Sequence, residues 1–243
     1  MEYDINGVEI PFDPKWTSIA ISLSGGADSA LLAYLLANIA EAEGREMIVH
    51  TISHTRMWKT RPWQEWDSLK VFEWMQDRFP DIAWIRHTNF IAPDVEYGNM
   101  GPIITDEYGK KVSGDNAQIR GFSEYICHQY GVDAYYNGVT KNPDHIIGMA
   151  ERKVESTPDN QHLRFMKHMN GYAIHPFRFT TKDWVVQQYV KFGIMDLFNI
   201  TRSCEGEFST INYLTYAPND PVPTCGECFW CKEREWAVRS ALQ

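Results

Sequence analysis

Apolar positions fall into short runs and longer periodic stretches that alternate along the chain. Thr17 to Leu23, with Ile19, Ala20, Ile21 and Leu23, predicts the first strand. From Ser29 to about Glu43, Leu31, Leu32, Leu35, Leu36 and Ile39 recur at helical spacing, and Gly44 suits the helix end. Glu46 to Ser53 predicts a second strand. Trp63 to Phe79 predicts a helix with Val71, Phe72, Met75 and Phe79 as its buried stripe, closed by Pro80. Core and rim packing accounts for Trp63, Trp66 and Trp74 better than a base-stacking platform does. Ile82 to His87 predicts the third strand. A helix capped by Asp115 or Asn116 runs to Tyr130 on Ile119, Phe122, Ile126, Cys127 and Tyr130. The fourth strand is Asp133 to Val139, ending at Gly138. A further helix, capped by Thr180 or Thr181, buries Val185, Val186, Tyr189 and Phe192 and ends at Gly193. Residues 1–16, broken by Pro11 and Pro14, predict a short ribbon or loop. Residues 88–114 predict a long polar loop. Residues 141–173 predict a loop with one short helix, suited to a lid.

Alternating strands and helices at this spacing predict an α/β fold: a doubly wound, mostly parallel sheet covered on both faces. Such sheets bind ligands beyond the C-terminal ends of their strands. Three segments then share one edge: Ser24–Ser29, Ser53–Arg61 and Gly138–Asn142. There is no internal repeat and no low-complexity tract.

A chain of 243 residues supports one sizeable core with a small lobe. The expected division is an α/β domain over 1–200 and a C-terminal lobe over 201–243. No apolar run approaches the roughly 20 residues of a membrane span. Met1-Glu2-Tyr3-Asp4 lacks the basic and apolar regions of a signal peptide, so a cytoplasmic location is expected. Lys and Arg total 23 against 32 Asp and Glu, a net charge of −9. That balance argues against a nonspecific nucleic-acid surface. Lys110-Lys111 and Arg152-Lys153 are too short to reverse it.

The first strand ends abruptly in Ser24-Gly25-Gly26-Ala27-Asp28-Ser29, and a helix begins at once. Glycines free the turn to point N–H groups inward, and the helix start adds unpaired N–H groups and the positive end of its dipole. Together they form an anion cradle suited to phosphates. The spacing is not that of a Walker A loop, and the cradle has no lysine. Asp28 would repel phosphates unless a cation bridges them. The reading is a Mg²⁺-dependent pyrophosphate site, with Ser24 and Ser29 as hydroxyl donors. The bland alternative is a glycine turn with Asp28 or Ser29 as a helix cap. The strand before it and the complete six residues favour phosphate.

Four of the five cysteines lie near the C-terminus: Cys204, then Cys225-Gly226-Glu227-Cys228-Phe229-Trp230-Cys231. Thiolates at this spacing can point at one centre from a knuckle, with Cys204 completing a tetrahedron. Disulfides fit poorly with a chain lacking a secretion signal. Zn²⁺ is the expected occupant, in a structural site with no open position. An iron–sulfur cluster also takes four cysteines. Cys127 lies on an apolar stripe and reads as core. The histidines show no ligand-like spacing. Lys182, in a first helical turn, occupies a poor place for a cation, and its spacing alone reads as a surface lysine.

Ser24-Gly25-Gly26-Ala27-Asp28-Ser29 resembles the PP-loop of the N-type ATP pyrophosphatases, which have the adenine nucleotide α-hydrolase-like fold. The resemblance implies ATP cleavage between the α- and β-phosphates, with Ser24, Gly25, Gly26, Asp28, Ser29 and Gly138 binding the nucleotide. It also implies that Lys182, after His175-Pro176-Phe177 and Thr181, contacts the phosphates and joins Asp28 as a catalytic residue. With Ser203-Cys204 and Cys225-Gly226-x-Cys228-x-x-Cys231-x-x-Arg234 added, the chain is similar to the 7-cyano-7-deazaguanine synthase family. That family is an α/β PP-loop enzyme with a structural zinc, often a homodimer. Its members convert 7-carboxy-7-deazaguanine, ammonia and two ATP into the nitrile in queuosine and related pathways.

The substrate region departs from the family. Its Ser-Gly-Tyr-Pro-Asp-Cys-Arg run is replaced by Gly138-Val139-Thr140-Lys141-Asn142-Pro143, and its Arg-Asn before the third helix by Asp115-Asn116. A flat deazapurine acid needs an apolar slot and a few polar groups. Trp58, Tyr97 and Tyr136 are candidate walls, and Arg56, Arg61 or Lys141 candidate carboxylate partners. Three alternatives stand beside this reading. One is a PP-loop ligase transferring a deazapurine acyl group to another amine. Another is a tRNA thiolase or lysidine-type enzyme, which the charge and the shortage of spare cysteines oppose. The third is a noncatalytic nucleotide-binding or zinc-scaffold protein.

Overall fold

The computed structural model describes residues 2–56, 64–91, 103–105, 111–143, 163–166, 171–204 and 224–243. The chain opens on an antiparallel ribbon, β1 (Glu2–Ile5) and β2 (Val8–Pro11), turned at Asn6-Gly7. There follow β3 (Ser18–Ser22), α1 (Ala27–Ala42), β4 (Ile48–Arg56), α2 (Gln64–Arg78) and β5 (Ala83–Ile91). Next come β6 (Ile103–Thr105), β7 (Lys111–Ser113), α3 (Gly114–Gln129), β8 (Ala134–Tyr136), β9 (Leu163–Met166) and β10 (Gly171–Ile174). The described elements end with α4 (Lys182–Lys191), α5 (Met195–Ile200) and α6 (Phe229–Ala241).

The main sheet has the order β5-β4-β3-β8-β10-β9. Its first five strands are parallel, and β9 joins the edge antiparallel to β10. Successive side chains of β3 point to opposite faces. Ile19 and Ile21 enter the large core with α1, α2, α4 and α5, whereas Ala20 packs with Ile52 and with Ile126 and Cys127 of α3. Helices therefore cover both faces, and the expected doubly wound α/β architecture is present. The chain builds outward from β3 through β4 to β5, then returns to β8 on the other side of β3. The strand order reverses between β3 and β8, the crevice where open sheets of this type bind ligands. α6 lies against α4 and contributes Ala237 to the large core.

Several boundaries differ from the sequence-based expectation. β4 and β5 pair from Ile48↔Ala83 to Arg56↔Ile91, so each strand runs past its expected end. The later residues of β4 are polar, and β5 passes through Thr88 and Asn89 before Phe90 and Ile91, which hid the extensions from a hydropathy pattern. α1 begins at Ala27 with Gly26 as its N-cap, not Asp28 or Ser29. Within 88–114, β6 and β7 form a short hairpin instead of a plain loop. Within 141–173, the expected short helix lies outside the described residues, and β9 and β10 form a hairpin that supplies the fifth parallel strand. Tyr130, expected inside, is 48% exposed but covers the rings of His50 and His87, with centroids 4.9 and 5.0 Å away. Trp66 and Trp74 are half-buried, with Trp74 Nε1 donating to Asp196 Oδ2 at 2.7 Å, and Trp63 lies outside the described residues. No helix among the described residues is long and apolar enough to cross a membrane.

Candidate nucleotide and metal sites

A cavity of about 430 Å³ opens at the reversal point. Its walls include Ser22, Ser24, Gly26, Asp28 and Ser29 from the end of β3 and the start of α1. Asn137, Gly138, Val139 and Thr140 follow β8, and His54 and Gln64 come from β4 and α2. Lys182 reaches it from α4, with Ile119, Arg202, Ser203 and Trp230 completing the lining.

The turn after β3 is held by its own hydroxyls. Ser29 Oγ accepts from the Ser24 N–H at 3.2 Å and donates to the Gly26 carbonyl at 3.1 Å. Ser24 Oγ lies 3.1 Å from Ser29 Oγ and accepts from the Gly26 N–H at 3.3 Å. Of the two glycines only Gly25 takes a positive φ, +74°. A Cβ there would sit 2.7 Å from the Asp67 and Ser68 backbone of α2, so the turn is pressed flat against that helix. A Cβ on Gly138 would meet the Asp28 backbone at 2.9 Å. The segments after β3 and β8 thus touch, and glycine makes the approach possible. The first-turn N–H groups of α1 have no partner within the helix, so the turn could hold an anion.

Lys182 is not a surface lysine. It is 4% exposed, and its Nζ lies 3.1 Å from Asp28 Oδ2 and 3.0 Å from Glu233 Oε2. Burial works against its charge, but the Asp28 and Glu233 carboxylates outweigh burial and raise its pKa above the usual lysine range. Thr140 Oγ1 donates to Asp28 Oδ2 at 3.4 Å. Asp28 Oδ1 is buried and has no hydrogen-bond partner among the described residues. One ammonium against two carboxylates leaves the trio with a net negative charge. An orphaned carboxylate oxygen in such a trio, on a residue that lines the cavity, suits a divalent cation.

Cys204, Cys225, Cys228 and Cys231 come together, their sulfurs all within 4.8 Å of one another. Cys225 Sγ is 3.6 Å from Cys204 Sγ and 4.0 Å from Cys231 Sγ. Cys228 is the N-cap of α6, and Cys231 lies in its first turn. Burial raises the Cys225 thiol, but hydrogen bonds from the Cys228 and Glu227 backbone prevail and bring it down to about 7. Burial pushes Cys228 and Cys231 up. The four could hold one metal ion. Cys127, on α3, is fully buried and is not one of this group, and burial raises its thiol to about 12.

Among the proposed substrate contacts, Tyr136 is no cavity wall. It is fully buried, and its hydroxyl donates to the Pro11 carbonyl at 2.6 Å. Lys141 does not line the cavity, and its N–H donates to the Thr180 carbonyl at 2.7 Å. Arg56 ends β4, whereas Trp58, Arg61 and Tyr97 lie outside the described residues. Sequence reasoning missed Glu233, Arg202, Ser203, Trp230 and His54. The first four lie within two residues of a cysteine, but nothing in the cysteine spacing says that they face the cavity or its lysine.

No protein-family model matches the sequence, and no curated protein matches it. Among solved structures, the chain is similar to the U34-tRNA thiolase NcsA from Methanococcus maripaludis, whose structure carries a [4Fe-4S] cluster. The identity is 14% and the TM-score 0.42, over 81% of this chain and 61% of the thiolase. A protein of the universal stress protein family from Burkholderia pseudomallei is similar at 11% identity and a TM-score of 0.33. That match covers 53% of this chain and 85% of the other. Likenesses this distant do not bear on the activity of the chain.

Proposed function

We propose that the protein cleaves ATP to AMP and pyrophosphate in order to activate a carboxylate. The observation that carries this reading is the convergence on one cavity of the Ser24–Ser29 turn, Asp28 and Lys182. These residues offer hydroxyls, helix N–H groups and an ammonium for phosphates, without the lysine of a Walker A loop. Mg²⁺, held at Asp28, would neutralise the charge of the departing pyrophosphate. A carboxylate oxygen of the substrate attacks the α-phosphorus, and the bond to the bridging oxygen of pyrophosphate breaks. The cradle and Lys182 stabilise the charge that gathers on that leaving group. The acyl group passes to an amine with loss of AMP, so no nucleophilic side chain is needed.

The finer reading follows the sequence resemblance. The carboxylate is 7-carboxy-7-deazaguanine and the amine is ammonia. A second ATP activates the amide oxygen, and loss of AMP and a proton leaves the nitrile. The four cysteines hold zinc: bonds of about 2.3 Å to one tetrahedral ion place sulfurs about 3.8 Å apart. The Cys204–Cys225 and Cys225–Cys231 separations, 3.6 and 4.0 Å, bracket that value, and all four sulfurs lie within 4.8 Å of one another. A four-iron cluster, with one cysteine on each iron of a cube, spreads its sulfurs wider.

The test is product analysis after incubation with ATP, Mg²⁺, ammonium and 7-carboxy-7-deazaguanine. AMP and pyrophosphate should form in a manner dependent on the acid, with the amide or nitrile detected by mass. ADP as the main product would overturn the ATP chemistry. Stimulation by a different carboxylate, a protein amine or tRNA, but not by this acid, would replace the substrate and leave that chemistry standing.

A further inference from the structure

From the geometry of α6 we infer that Glu233 is a positioning residue for Lys182, and that through it the cysteine site is coupled to the nucleotide cradle. The inference rests on the reading of the cavity as an ATP site. Glu233 is 1% exposed, and a carboxylate is placed so deep only when a partner compensates for lost hydration. Its partner is Lys182 Nζ at 3.0 Å, and that ammonium reaches Asp28 at 3.1 Å on its other side. Lys182 thus stands between two carboxylates that belong to different parts of the chain. Asp28 belongs to the cradle and Glu233 to the C-terminal helix.

The two contacts have different consequences when phosphates enter. A lysine paired with Asp28 alone must break its only ion pair to meet an incoming phosphate, and it leaves an uncompensated charge behind. With Glu233 beside it, Lys182 keeps one buried carboxylate whichever way Nζ turns. Asp28 is then released toward a cation at a lower cost. Glu233 therefore lowers the barrier to exchanging the Asp28 contact for a phosphate contact.

The position of Glu233 is set from two sides. α6 starts at the cysteine group, with Cys228 as its cap and Cys231 in its first turn, and Glu233 opens the second turn two residues later. The neighbouring Arg234 clamps the helix to α5: its guanidinium donates to Thr201 Oγ1 and to the Phe198 carbonyl, both at 2.8 Å. The same guanidinium stands 3.8 Å over the Phe198 ring. Ser203 and Trp230, each adjacent to cysteine ligands in sequence, line the cavity directly. The cysteine site thereby fixes the helix that carries the second partner of the cradle lysine.

The experiment compares wild-type protein with Glu233→Gln and Glu233→Asp, measuring binding of Mg²⁺·ATP by titration calorimetry without the carboxylate substrate. Glutamine keeps the size and a hydrogen bond but removes the charge. We expect Glu233→Gln to weaken Mg²⁺·ATP binding by about tenfold or more. The Mg²⁺ concentration needed for half-maximal binding should rise, and Glu233→Asp should recover part of the loss. Thermal melts and zinc content, measured on the same samples, establish that the variants remain folded and loaded. A folded Glu233→Gln protein that binds Mg²⁺·ATP as tightly as wild type would overturn the positioning role while leaving the nucleotide site standing. Wild-type protein that binds no ATP would overturn both.

Discussion

At the scale of single residues, Asp28 is the most informative position. Its carboxylate lies in the turn proposed to hold phosphates, where charge alone would make it unfavourable. Two features explain its presence: Lys182 at 3.1 Å, and a buried oxygen, Oδ1, with no hydrogen-bond partner among the described residues. Asp28→Asn removes one negative charge from a trio holding two carboxylates and one ammonium. The remaining Lys182–Glu233 pair is then balanced, so the melting temperature should change little. Turnover should fall by about 10²–10³-fold, the usual effect of removing one electrostatic contributor to the transition state. Raised Mg²⁺ should restore part of it. Initial-rate assays of pyrophosphate release across a Mg²⁺ series check this, and an unchanged rate would remove Asp28 from the site. Its place at the cavity was legible in the sequence because all six residues of the turn are contiguous. Glu233 was not legible, since a glutamate on a C-terminal helix shows no local sign that it will be buried against a lysine 51 positions earlier. Lys182 fell between these cases: its spacing suggested solvent, and only tertiary packing buried it.

At the scale of elements, periodicity located α1, α2, α3 and α4 because each carries an apolar stripe several turns long. It failed for β9 and β10, which have four residues each, too few for alternation to register. It also failed for α6, where Glu233 occupies a buried position that an apolar residue would ordinarily mark. The cysteine spacing marked the same region by a different signal. Metal binding there should determine the stability of α6, because the knuckle includes its cap and first turn. Cys204→Ser should lose the metal and lower the melting temperature by about 10 °C or more. Cys127→Ala should keep one metal per chain and cost about 1 kcal/mol, the scale of a conservative core truncation. Metal analysis beside thermal melts separates the two variants. Equal metal content in wild type and Cys204→Ser would show that Cys204 is not a ligand.

At the scale of the whole molecule, the alternation of strands and helices predicted a parallel sheet, and the reversal between β3 and β8 put the glycine turn and Gly138 side by side. What no pattern disclosed was how the two faces differ. The α1 face holds most of the core, whereas the α3 face carries polar residues of β4 and β5, among them a stacked pair of histidines. His50 is 1% exposed, with its Nδ1 2.9 Å from His87 Nε2 and Tyr130 over both rings. Burial, and then the nearby His87, lower the His50 pKa from 6.5 to about 4, and burial lowers that of His87 as well. A folded-state pKa below the unfolded value means that the unfolded chain takes up the proton first. The stability that neutral His50 supports is therefore complete above the unfolded value of 6.5, lost as pH falls toward about 4, and constant below that. His175, also lowered to about 4 by burial and then by Arg178, steepens the same window. Urea unfolding at a series of pH values from 7 to 4 should show stability declining on acidification. In His50→Asn the slope should be shallower by up to about 1.4 kcal/mol per pH unit, the contribution of one proton. Parallel slopes in the two proteins would show that His50 titrates alike in the folded and unfolded chain, and that the histidine pair has no part in the acid limit of the fold.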